Sequence, residues 1–184
     1  MRLLKQGFAV ASLCLLSVGG VAVARASNGH DDDHGHGNGN GHGDHDGPQC
    51  VAYYGPFSSQ TGLPCNSPIG LCTHGALQGE FPASYDFTFT TLVSANDPTD
   101  PTKSVYTGTS VVTATDGSGV IYTEDTGIIH IPTDGSPAAF VTKAVISSGT
   151  KKYHETEGAF VATGNLVFQT GLAVGSFSAV LCKD

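Results

Sequence analysis

The sequence predicts an all-β domain, a single antiparallel barrel or sandwich with the barrel favoured, and three observations carry that expectation. From Cys72 onward, β-branched and aromatic residues alternate with polar ones in short runs. Those runs are broken by Gly, Pro, Asn and Asp, and no stretch past residue 50 shows sustained helical periodicity with caps. A chain of 184 residues with 25 Gly, 9 Pro and only 13% charged residues also disfavours a helical bundle or a coiled coil. A closed barrel is favoured over a sandwich because closure leaves no strand edge exposed.

Residues 1–26 read as a cleaved signal peptide. Arg2 and Lys5 form a positive n-region, and Gly7 to Ala24 is uninterrupted apolar or small sequence. Ala24-Arg25-Ala26 fits the small-x-small cleavage rule, which places the cut after Ala26. An uncleaved anchor is the rival reading, near the lower length limit for a bilayer span. The Gly- and Ala-rich end and the polar tract behind it favour cleavage. Cys14 follows Leu13 rather than a small residue, a poor fit to a lipoprotein site. The expectation is a secreted or periplasmic protein with no membrane association after cleavage. Without Arg2, Lys5 and Arg25, 5 basic residues stand against 16 acidic ones, a net charge near −11. That acid excess argues against nucleic acid and anionic membranes as partners, since both need a basic patch.

Residues 27–49 read as a disordered arm. His30, His34, His36, His42 and His45 are interleaved with Asp31, Asp32, Asp33, Asp44 and Asp46 on a Gly/Asn backbone. With no apolar side chain to bury, nothing offsets the entropy of ordering it. Imidazole and carboxylate groups at this density capture zinc, copper or nickel weakly, with His nitrogen as the main donor. A solvated spacer is the plainer reading. No cofactor is otherwise implied.

Cys50, Cys65, Cys72 and Cys182 form an even set in an exported chain and read as two disulfides. The spacings lack the short paired form of a zinc site. Three pairings are open; the expected one is Cys50–Cys65, stapling a lead-in over 50–71, and Cys72–Cys182, tying first strand to last. The barrel domain is then 72–184. Its strands are read at 73–81, Tyr85 to Val93, Val105 to Thr115, Val120 to Ile131, Ala138 to Ser147, Gly158 to Gln169 and Leu172 to Cys182. Asp116-Gly117-Ser118-Gly119 and Thr170-Gly171 turn the hairpins, and Asn96 to Pro101 and Pro132 to Pro137 are loops. Tyr85, Phe87, Phe89, Thr91 and Val93 are assigned to one face of their strand.

The stretch Val145-Ile146-Ser147-Ser148-Gly149-Thr150-Lys151-Lys152-Tyr153, followed by Glu157-Gly158-Ala159-Phe160, resembles the signature of the dirigent and allene oxide cyclase barrel superfamily. There a strand ends in a Gly-Gly-Thr-Gly-like turn, then an aromatic residue, then a Gly opening the next strand. Ser148 and Lys151 depart from it where glycines are common. Leu71 to Cys182 also resembles small exported bacterial members, through Tyr106-Thr107-Gly108 and Asp125-Thr126-Gly127 among other segments. The resemblance implies an eight-stranded, calycin-like barrel with an internal cavity, in a homo-oligomer. It names no chemistry, and the family's catalytic residues do not map here position by position.

Phe87, Phe89, Tyr106, Tyr122, Phe140, Phe160, Phe168 and Phe177 supply enough aromatic surface to line a pocket, though they serve equally as a packed core. Parity puts Tyr122 and Glu124 on one face and Asp125 on the other, so the two acids cannot both point inward. The polar candidates for a ligand handle are Tyr85, Asp86, Glu124, Asp125, His130 and Glu157, and the expected ligand-contacting residues are Tyr85, Tyr106, Tyr122, Glu124 and His130. No nucleophile elbow, HExxH or phosphate-binding loop is present, so no catalytic residue is assigned. The expected function is binding or presenting a small hydrophobic molecule. The alternatives are a cofactor-independent cyclase or isomerase with Tyr122, Glu124 or His130 as its polar handle, and metal capture through the arm.

Overall fold

A computed structural model describes residues 47–62 and 64–183. The expected signal peptide, residues 1–26, and the arm histidines His30, His34, His36, His42 and His45 lie outside the described residues. Eight antiparallel strands close into a barrel: β1 (Gln49–Thr61), β2 (Cys72–Leu77), β3 (Ala83–Ser94), β4 (Lys103–Ala114), β5 (Val120–His130), β6 (Ala138–Gly149), β7 (Thr156–Val167) and β8 (Leu172–Lys183). Each strand pairs with its neighbours in sequence, and β1 meets β8 to complete the ring. Among the described residues the one helical piece is a single 3₁₀ turn, Lys151–Tyr153.

Strict alternation makes the barrel. In β4, Tyr106, Gly108, Ser110, Val112 and Ala114 are buried while their neighbours in sequence face out. In β5 the inward set is Ile121, Thr123, Asp125, Gly127 and Ile129. β3 breaks its own alternation. A bulge between Phe89 and Thr91 shifts the register, so Leu92 packs with the core while Thr91 and Val93 face out. The single face expected for Tyr85 to Val93 therefore ends at Phe89, because one extra residue reverses the parity.

The interior has two apolar clusters. At the end where β1 starts, Phe81 packs edge-on against Tyr53, Tyr153 and Phe160, with ring centroids 5.3, 5.9 and 5.7 Å away. This plug, with Ala83, Val112, Ala114, Ile121 and Leu181, shuts one end. Towards the other end a smaller cluster forms around Phe87, Tyr106, Ile129, Leu166 and Ala173.

Two expectations are corrected. The segment read as a lead-in holds β1, which pairs with β8 over twelve residues from Gln49↔Lys183 to Gln60↔Leu172. Gly55 and Pro56 disguise it. Pro56 lies where the β1–β2 ladder begins and accepts from Gln78 N–H, so its missing donor falls at the fraying end. The disulfides are Cys50–Cys182 and Cys65–Cys72, not the expected pairs. With β1 beside β8, Cys50 stands directly opposite Cys182, and Cys65 is left for Cys72 across the loop that follows β1. Two disulfides fit an oxidising compartment.

Candidate functional site

Between the two clusters lies a cavity of about 120 Å³. Glycines shape its wall. A Cβ on Gly108 would strike the Phe87 ring, and one on Gly127 would strike the Tyr106 ring. Bare backbone at these inward positions lets each ring lie against the adjacent strand instead of filling the lumen. Phe87, Phe89 and Tyr106 form a contiguous group, with centroid separations of 4.4, 5.4 and 6.0 Å. Phe57, Tyr85 and Phe140 line the same space. A second hollow of about 150 Å³ adjoins it at the mouth and shares Thr61, Phe89, Ile129 and Leu166 with it.

One acid faces this apolar interior. Asp125 is 4% exposed. It is flanked across the sheet by Gly108 and Ala144, two small residues that leave room around its carboxyl. Ser110 donates its hydroxyl to Oδ2 and Thr123 to Oδ1, both at 2.5 Å. These two donors are cross-strand partners one step towards the plugged end. A carboxylate has about four acceptor positions, so roughly half its capacity is still open. Burial pushes the Asp125 carboxyl above its ordinary range, and the two hydroxyls pull part of that back.

Two phenols accompany it. Burial pushes Tyr106 up to about 12, opposed by its hydrogen bond to the Thr142 hydroxyl and reinforced by the nearby Asp125 and Tyr85 charges. Tyr85 is also raised by burial, with a smaller opposing contribution from Ser59. Both phenols therefore stay neutral donors over any ordinary pH.

Of the five residues expected to contact a ligand, Tyr85 and Tyr106 line the cavity. Tyr122, Glu124 and His130 do not. Tyr122 is 40% exposed, and Glu124 and His130 also sit on the outer face of β5. His130 is at the rim, where its Nδ1 lies 2.7 Å from Asp100 on the loop after β3. Parity had correctly separated Asp125 from Glu124, and the choice of inward face is what the structure reverses. Both faces of β5 carry isoleucine and threonine, so apolar content did not decide between them. The charge count did point the right way: Glu124 and His130 share one face, and Asp125 is alone on the other. Of the eight aromatic residues picked out, Tyr122 and Phe168 are exposed, while Phe57 was missed because β1 was.

No protein family, curated protein or solved structure matches the chain. The site is therefore argued from its own geometry. Among the described residues no three His, Cys, Asp or Glu side chains gather as a metal-binding group. Chemically, the cavity offers aromatic walls, two neutral phenol donors and a single carboxyl that can accept or, when protonated, donate.

Proposed function

We propose that the protein is an exported barrel that binds a small, mostly apolar molecule in its interior. The observation that supports this reading most is the cavity itself, walled by Phe57, Phe87, Phe89 and Phe140 beside one buried carboxyl. Binding sites are typically concave and apolar with a few placed polar groups. Export is supported by the signal-like residues 1–26 and by the two disulfides. An eight-stranded barrel with an internal cavity is also what the dirigent and allene oxide cyclase resemblance implies. An engineered apolar cavity of about 150 Å³ takes benzene, so this one suits a single ring or short chain, with any remainder reaching the mouth. Titrating ethylbenzene into labelled protein is expected to shift the amide signals of Thr142, Ala144 and Asp125. A spectrum that does not move, or that moves only at the outer face, overturns the reading.

A second reading, isomerisation in the same cavity, is favoured by one observation. The acid inside is Asp125, with a raised pKa suited to moving a proton. Under that reading Asp125→Asn abolishes turnover of a bound substrate and leaves its affinity nearly unchanged.

A further inference from the structure

The cavity's charge composition narrows the ligand. Among the residues lining it there is no Lys, Arg, His or Glu; Asp125, Tyr85 and Tyr106 are its titratable side chains. The Asp125 carboxylate thus has two hydroxyl donors and no counter-ion within the lining. An isolated buried carboxylate is costly unless a cation pairs with it. The polar groups already present cannot supply that cation, because hydroxyls and phenols are neutral. Three rings, Phe87, Phe89 and Tyr106, line the same cavity as the carboxyl and are inclined to one another by 56° to 64°. Aromatic faces attract cations through the ring quadrupole, most strongly where water is excluded.

We propose that the barrel selects a small organic cation, an ammonium group carried on an apolar ring or chain. The ammonium takes the open acceptor positions of Asp125, and the apolar part lies against Phe87, Phe89 and Tyr106. A neutral ligand of the same shape leaves the carboxylate without a partner. The acid excess of the whole chain, a net charge of −8, also raises the concentration of cations around the protein. This inference rests on the interior-binding reading and adds the ligand's charge to it.

The test compares benzylammonium with ethylbenzene, which share shape and differ in charge. Both are titrated by calorimetry and by amide shifts into the full folded domain with its disulfides formed. At neutral pH benzylammonium is expected to bind roughly tenfold or more tighter than ethylbenzene, the gain of one desolvated charge contact. In Asp125→Asn that preference is expected to disappear. Wild type supplies an independent readout should the variant fold poorly. Acidification to the point where Asp125 is protonated weakens benzylammonium and leaves ethylbenzene unchanged. If ethylbenzene binds inside and benzylammonium binds no better, the cation proposal falls and interior binding stands. If neither binds, both fall. A cation preference that survives in Asp125→Asn, with shifts on the outer face, assigns the effect to surface acids and overturns the proposal.

Discussion

At the plugged end of the barrel, Phe81 meets three other rings edge-on, and the residues around it are Ala83, Val112, Ile121 and Leu181. A few residues further along the same strands, the inward positions become Ser110, Thr123, Asp125, Gly108 and Gly127, and the packing opens. In β4 and β5 alternation is unchanged between the two regions; only the residues placed at the inward positions differ. Large side chains from a loop and a 3₁₀ turn close the first region. Glycines that let rings lie flat hold the second open. A barrel's hollow is therefore set by which inward positions are left small, not by the strand count alone.

Four perturbations sharpen or break this contrast. The largest effect is expected from the disulfides, one in each region. Cys50–Cys182 closes the ring over a separation of 132 residues, and Cys65–Cys72 spans only 7 at the mouth. The chain-entropy argument gives about 5 kcal/mol for the first and about 2 kcal/mol for the second. Denaturant unfolding of the two Cys→Ser double variants measures both, and equal losses would contradict that argument.

Next come the aromatic deletions. Phe81→Ala is expected to cost about 3–5 kcal/mol, as for other fully packed rings. Phe89→Ala, whose ring borders empty space, is expected to cost about half as much. A reversed order in thermal melts would mean that the cavity is filled by a tightly held occupant.

Smaller still are the enlargements. Ala83→Leu overpacks the plug and is expected to lose about 1–3 kcal/mol. Ala144→Leu extends into the cavity, so it should change stability by under about 1 kcal/mol and abolish the ethylbenzene shifts. Retained ethylbenzene binding in that variant would place the ligand elsewhere.

The subtlest effect is in pH dependence. Burial raises Asp125 above the ordinary 3.8, so the folded chain holds a proton that the unfolded chain releases. Its contribution is fully present below 3.8 and is lost as pH rises through the raised folded value. Asp125→Asn removes that loss. The variant therefore gains on wild type as pH climbs above 3.8, and the gap levels off once Asp125 is ionised in both states. Asp97, on the mouth loop, behaves oppositely. The Thr99 hydroxyl and amide, with Lys103, hold it at about 2, so its stabilisation is lost as pH falls from 3.8 towards that value. The two windows do not overlap, and urea melts across the acid range resolve them. A gap between Asp125→Asn and wild type that is constant with pH would show that Asp125 is not buried as described.

Seven of the eight strands were legible because their alternation is regular and their turns carry Gly, Asn or Asp. β1 was not, since Gly55-Pro56 and the polar run Ser58-Ser59-Gln60 read locally as loop. Its strand identity comes from pairing with β8, more than a hundred residues away. The disulfide error followed from that single omission, because the neighbour of β8 decides which cysteine faces Cys182. The site was half legible. Tyr85 and Tyr106 do line the cavity, whereas Asp125, one of the polar candidates, was left out of the expected contacts, because strand parity separates two faces without saying which is inside. Only the partners do that: Ser110 and Thr123 supply hydroxyls to Asp125, and Gly108 and Ala144 leave it space.

The order of the strands also shapes how the ring comes together in time. Every pairing from β1–β2 to β7–β8 links consecutive strands, so those ladders can grow hairpin by hairpin at modest loop-closure cost. The β1–β8 ladder joins the two most distant strands. Assembly thus concentrates its long-range cost in one closing step, and until then a curled sheet has two open edges facing other chains. Crowded synthesis is where that exposure matters most, since a neighbouring copy offers the same edge in the same register.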